Sequence, residues 1–152
     1  MVNEPSLEWI AMRLLLAIVT SALPIPHAAL LAIDRSAGYR NFLPTRTLTG
    51  FTYAGWSHKS GVLRVEFKNK AGLRFEWRVL PMRGSCDAGK QQSFQLGGNK
   101  VWWAQNAIEQ HAWRCVFDQA GKPVRLEAAS SAPTNKLAPA GLGIVVAHAK
   151  RY

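Results

Sequence analysis

Residues 61–80 alternate apolar and charged positions with a period of two. The run reads Gly-Val-Leu-Arg-Val-Glu-Phe-Lys, then Asn-Lys-Ala-Gly, then Leu-Arg-Phe-Glu-Trp-Arg-Val-Leu. That alternation predicts two half-buried β-strands, each with one face to a core and one to water. Leu63, Val65 and Phe67 share a face, as do Leu73, Phe75, Trp77 and Val79. The expected register sets Phe67 opposite Leu73, Val65 opposite Phe75 and Leu63 opposite Trp77. Glu66 then meets Arg74 and Arg64 meets Glu76. Opposite charges placed so contribute about 0.2–1 kcal/mol each. A slip of one residue would mix the faces, which the pattern forbids.

The rest of the chain continues as short strands separated by turn formers. Thr47–Trp56 is rich in Thr and aromatic residues and predicts a strand, with a polar turn over Ser57–Ser60. Pro81–Gln92 holds Pro81, Gly84, Asp87 and Gly89 and reads as a connection. Ser93–Leu96 and Val101–Ala104 predict a second hairpin with Gly98-Asn99 at its tip. There Leu96 is expected against Val101, Phe94 against Trp103 and Gln95 against Trp102. Trp102 and Trp103 are consecutive, so they point to opposite faces. Ile108–Phe117 predicts a further strand, with Trp113, Cys115 and Phe117 on its core face. Pro123–Ala128 reads as a short strand, 129–139 as a loop, and Gly141–His148 as a returning strand. The fold class expected is all-β: an antiparallel meander closing as a small barrel or a sandwich. The run from Val101 to Cys115 resembles a recurring element of small exported bacterial β-domains, a resemblance that carries no function with it.

Residues 10–33 break this pattern. Arg13 precedes an apolar run from Leu14 to Leu23, and Pro24 and Pro26 end it. These are the parts of a secretory signal peptide, and the run is too short for a comfortable membrane span. Glu4 and Glu8 are out of place in such a leader, so Met12 is a candidate start. Cleavage is expected after Ala22, Ala28 or Ala32. The alternative is an uncleaved N-terminal helix docked on the domain or in a membrane. The expected organisation is a segment 1–32 followed by one β-rich domain, 33–152. It implies a secreted, periplasmic or envelope location, with no membrane span after processing.

Composition supports one folded domain: 152 residues, 48% apolar, with six Trp. The net charge is +10. Residues 1–32 contain only Arg13, Glu4 and Glu8, so 18 basic and 7 acidic residues lie beyond them, a net +11. Such a balance attracts polyanions, although these bases are spread along the chain rather than clustered. The two cysteines, Cys86 and Cys115, are compatible with a disulfide in an exported protein. A bridge of that span would contribute roughly 3–4 kcal/mol through the unfolded state. Two buried thiols are the alternative.

The catalytic templates fail. No phosphate-binding glycine loop is present, and Gly141-Leu-Gly143 lacks a third glycine. Gly55-Trp-Ser57-His-Lys59 has Lys where a nucleophile elbow needs Gly. No Cys/His spacing suits a metal, and no cofactor motif occurs. Glu109 and His111 lie two apart on one strand face and could act as orienter and base. A polar strand end, where the core face runs out into solvent, is the favoured reading of the pair. The stronger candidate is a binding face. Arg64, Lys68, Arg74 and Arg78 line the water side of the first hairpin. Gln95, Lys100 and Trp102 belong to the second, with Arg114 on the face opposite Trp113. Bases interleaved with aromatic rings suit an anionic polymer or a glycan. The function expected is a non-catalytic binding or structural module. A small exported hydrolase and a protein-binding or inhibitor domain using a sheet edge are the alternatives.

Overall fold

The structure is a computed structural model that describes residues 24–37, 42–82, 92–131 and 139–151. It contains α1 (His27–Ala37), β1 (Phe42–Pro44), β2 (Thr52–Lys59), β3 (Val62–Lys68), β4 (Arg74–Pro81), β5 (Gln92–Leu96), β6 (Asn99–Gln105), β7 (Glu109–Phe117), β8 (Pro123–Ser131), α2 (Pro139–Ala147) and β9 (Ala149–Arg151). Strands β2 to β8 form one antiparallel sheet in the order β2-β3-β4-β8-β7-β6-β5. Two meanders, β2-β3-β4 and β5-β6-β7-β8, therefore lie side by side and join where β4 pairs with β8. The order ends at β2 on one side and β5 on the other. The expected closure into a barrel or sandwich is replaced by a single sheet with α1, α2 and the β1–β9 ribbon on one face. The mostly antiparallel β reading stands.

The core lies between that face and the helices. Leu63, Val65, Phe67, Phe75, Trp77, Val79, Val101, Val124 and Leu126 are buried there with Leu142, Val145 and Val146 of α2. Ala112 and Ala128 are opposite each other, and Trp77 and Trp103 are their other cross-strand neighbours. Small side chains in mid-sheet make room for the two indoles. The Trp77 indole N–H donates to the Phe42 carbonyl at 3.0 Å, which fixes β1 beneath β4. At the sheet's other end Gly143 meets β5. A Cβ there would lie 2.7 Å from the Phe94 ring, so only glycine allows α2 this close.

Both hairpins keep their predicted faces but shift register by two residues. Phe67 pairs with Phe75, Val65 with Trp77 and Leu63 with Val79. Phe94 pairs with Val101, and Ser93 with Trp102. The turns decide this. In the first, Asn69 and Leu73 close a three-residue loop, with the Leu73 N–H on the Asn69 side-chain carbonyl at 2.9 Å and Gly72 at φ +82°. In the second, the tip is Gly97-Gly98, both at positive φ, rather than Gly98-Asn99. The β2–β3 turn is Ser60-Gly61, so Ser57–Lys59, expected as a turn, extends β2.

Three further expectations are corrected. Trp113, Cys115 and Phe117 do share a face, but it is the one away from the core: Ala112 and Val116 take the inner positions and Phe117 is 67% exposed. Residues 139–147 form helix α2 instead of a strand, with only Ala149–Arg151 extended after it. Strand β8 continues to Ser131, beyond the short strand expected. At the N-terminal side, α1 docks against β2, and Ile25 and Ile33 are fully buried in the core. Residues 10–23, the apolar part of the leader-like segment, lie outside the described residues. Among the described residues, no helix is long and apolar enough to cross a membrane.

Candidate functional site

The face of the sheet turned away from the helices carries most of the predicted site residues. One row of directly opposed positions crosses all seven strands: Ser57, Arg64, Arg78, Glu127, Trp113, Trp102 and Ser93. The row beside it holds Glu66, Glu76, Ala129, His111 and Ala104. The charged half and the aromatic half of this face meet at Glu127.

In the charged half every strongly placed arginine is held by carboxylates. Arg64 Nε lies 3.0 Å from Glu76, and Arg74 lies 3.1 Å from Glu66. These are the charge pairs the sequence predicts, made diagonally because of the register shift. Arg78 is the centre. Its guanidinium donates to both Glu109 oxygens at 3.1 and 3.2 Å, to Glu76 at 3.1 Å and to Glu127 at 3.3 Å. Burial works against the guanidinium charge, but the Glu109 hydrogen bond and three carboxylates outweigh it and hold its pKa above the ordinary arginine value. The same hydrogen bond from Arg78 keeps Glu109 below the usual carboxylate range. A shallow cavity of about 250 Å³ sits here, walled by Glu66, Arg74, Glu76, Arg78, Glu109 and Ser131 among others.

In the aromatic half the side chains form a ladder. The Arg125 guanidinium lies 4.1 Å over the Trp113 ring, and Trp113 stacks on Trp102 with centroids 6.5 Å apart and planes 13° apart. Lys100 Nζ lies 5.0 Å over Trp102. Trp113 is buried at the centre of this ladder, while Trp102 is half-buried nearer the edge. Gln95 is directly opposite Lys100, and Ser93 is opposite Trp102. Gln95, Ser93 and Lys100 are exposed. Thus β5 and β6 assemble an aromatic plate with an amide, a hydroxyl and an ammonium around it.

Glu109 and His111 do come together, with His111 Nδ1 3.6 Å from a Glu109 oxygen. That is longer than a hydrogen bond. Burial, partly offset by Glu127, lowers the His111 pKa and favours the neutral ring. Glu109 is committed to Arg78 and serves as its ligand. Among the described residues, no group of three or more His, Cys, Asp or Glu side chains is arranged to hold a metal ion.

The other predicted residues separate from this face or only border it. Lys68 is exposed at the end of β3. Arg114 points under the sheet, where it donates to the Ala147 and Ala149 carbonyls at 3.0 and 3.2 Å. It thereby caps the C-terminal end of α2, a favoured place for a cation, although burial lowers its pKa. Cys115 is half-buried on β7, and Cys86 lies outside the described residues. The missed members of the face are Arg125, Glu127 and Trp113. Alternation in Val124-Arg125-Leu126-Glu127 was the signal for the first two.

No protein-family model, curated protein or solved structure matches this chain.

Proposed function

We propose that the protein is an exported, non-catalytic binding module that takes a glycan on the outer face of its sheet, at the corner formed by β5 and β6. The observation that carries this reading is the supported tryptophan: Trp102 stacks on the buried Trp113 and is ringed by Ser93, Gln95 and Lys100. A ring already ordered by Trp113 and Lys100 loses little freedom when a sugar packs against it. The amide and hydroxyl can pair with sugar hydroxyls, and the ammonium suits a carboxylate or phosphate substituent.

A polyanion footprint on the hairpin has weaker support. Arg64, Arg74, Arg78 and Arg125 are matched on the same face by Glu66, Glu76, Glu109 and Glu127. The hydrolase alternative is weakened by the commitment of Glu109 to Arg78. Export rests on the leader-like composition of residues 10–33 and on the even cysteine count. On that reading Cys86 pairs with Cys115, which would pin the 81–92 connection to β7.

The test is binding of the exported chain to soluble neutral and acidic oligosaccharides and to heparin across a salt series. Binding to an oligosaccharide that weakens roughly tenfold in Trp102→Ala supports the proposal. Binding confined to heparin, steeply salt-dependent and indifferent to Trp102, would replace it with polyanion recognition.

A further inference from the structure

We infer that α1 belongs to the mature protein and that processing takes place between Ala22 and Leu23. The inference rests on the export reading above and narrows it to one bond. Ile25 is 1% exposed and Ile33 0% exposed, and Ala29 and Leu30 pack on the same core. The helix opens at Pro26, whose carbonyl accepts the Leu30 N–H at 3.0 Å. At its other end Ser36 Oγ lies 3.2 Å from His58 Nδ1 on β2. The segment is thus tied to the sheet by side chains at both ends.

Each of the three candidate bonds leaves a different domain. A cut after Ala28 removes Ile25 and the first turn of α1, including the Pro26 carbonyl that anchors it. A cut after Ala32 removes most of the helix and puts a charged terminus on Ile33, whose surroundings exclude water. Only the cut after Ala22 leaves the core whole. The residues before the bond agree. Signal peptidases require small side chains three places and one place before the cut. Thr20 and Ala22 satisfy this, whereas the other bonds present Pro26 and Leu30 at the first of these places.

The experiment is secretion of the full chain from a bacterial host, followed by intact mass and N-terminal sequencing of the exported and cell-retained fractions. Exported protein beginning at Leu23 supports the inference. Exported protein beginning at Ala29 or Ile33 overturns it and leaves export standing. Protein that keeps Met1 or Met12 and stays in the cell overturns export, and this inference with it.

Discussion

Glu66 and Glu76 face each other directly across β3 and β4, two like charges in register, and each holds an arginine on the diagonal. Arg74 answers Glu66, and Arg64 answers Glu76. The neighbouring direct pairs, Arg64 with Arg78 and Lys68 with Arg74, are also like-charged. Between β3 and β4 the attraction is therefore diagonal, and it is sustained by long side chains that reach across one pleat.

Its centre is the part that matters for stability. Arg78→Met takes from Glu109 its arginine and leaves the nearly buried Glu127 with Arg125 alone. It should destabilise the protein by about 3 kcal/mol, because breaking a buried pair strands the remaining charges. Arg74→Ala, at an exposed pair, should cost no more than about 1 kcal/mol. Urea unfolding midpoints of the two variants check the contrast.

Stability should fall in acid in two stages. Burial holds His111 and His148 below the ordinary histidine value of 6.5. The unfolded chain then binds more protons than the native one, so their contribution is complete above that value and is lost as pH drops toward the folded values. Glu109, lowered by Arg78, contributes above its ordinary 4.5 and loses that contribution as pH falls further. Unfolding midpoints measured from pH 7.5 to 5 should decline in the natural protein. They should flatten in a His111→Gln/His148→Gln double variant.

Trp113 and Trp102 should separate structure from binding. Trp113→Ala empties a buried position and should cost about 3–5 kcal/mol. It should also abolish the near-ultraviolet circular-dichroism signal of the stacked pair. Trp102→Ala, nearer the edge, should remove the same signal with a much smaller change in the unfolding midpoint.

A chain beginning at Ile33 should be less stable than one beginning at Leu23. Deleting fully buried Ile25 alone is comparable to a large-to-small core change, about 2–5 kcal/mol. Thermal unfolding of the two truncations measures the difference.

Thiol counting tests the Cys86–Cys115 pairing. Alkylation of the exported protein should label neither cysteine before reduction and both after it. Labelling without reductant would remove the bridge from this reading.

The alternation of apolar and charged residues made the faces of β3, β4, β5 and β6 legible, because side chains change face at every residue. It could not distinguish registers that differ by two, since those preserve every face. Asn69, Gly72, Gly97 and Gly98 decide between them through turn geometry. Strand β7 misled for another reason. Its inner face includes Gln110, bonded to Ser130, and Arg114, bonded to α2, while its outer face buries Trp113 under Arg125. Polarity there follows partners rather than layers. Helix α2 reads as a strand because Ile144, Val145 and Val146 favour one locally. Gly143 lets it approach β5 closely, and tertiary packing overrides propensity. The hairpin arginines and the Trp102 corner were readable from spacing. Their carboxylate partners on β7 and β8 were not, because pairing β4 with β8 is a long-range choice.

That same β4–β8 seam has a kinetic meaning. Each of the two meanders closes through short loops, which form early. The sheet becomes one only when β8 finds β4, the slow, non-local step. Until then each meander presents a bare edge and an uncovered apolar face, and β8 of one molecule can satisfy β4 of another with the same residue pairs. The seam is thus where this protein is exposed to domain exchange at high concentration. The Arg78 cluster, which spans β4, β8 and β7, forms only after the exchange-prone edge has been closed.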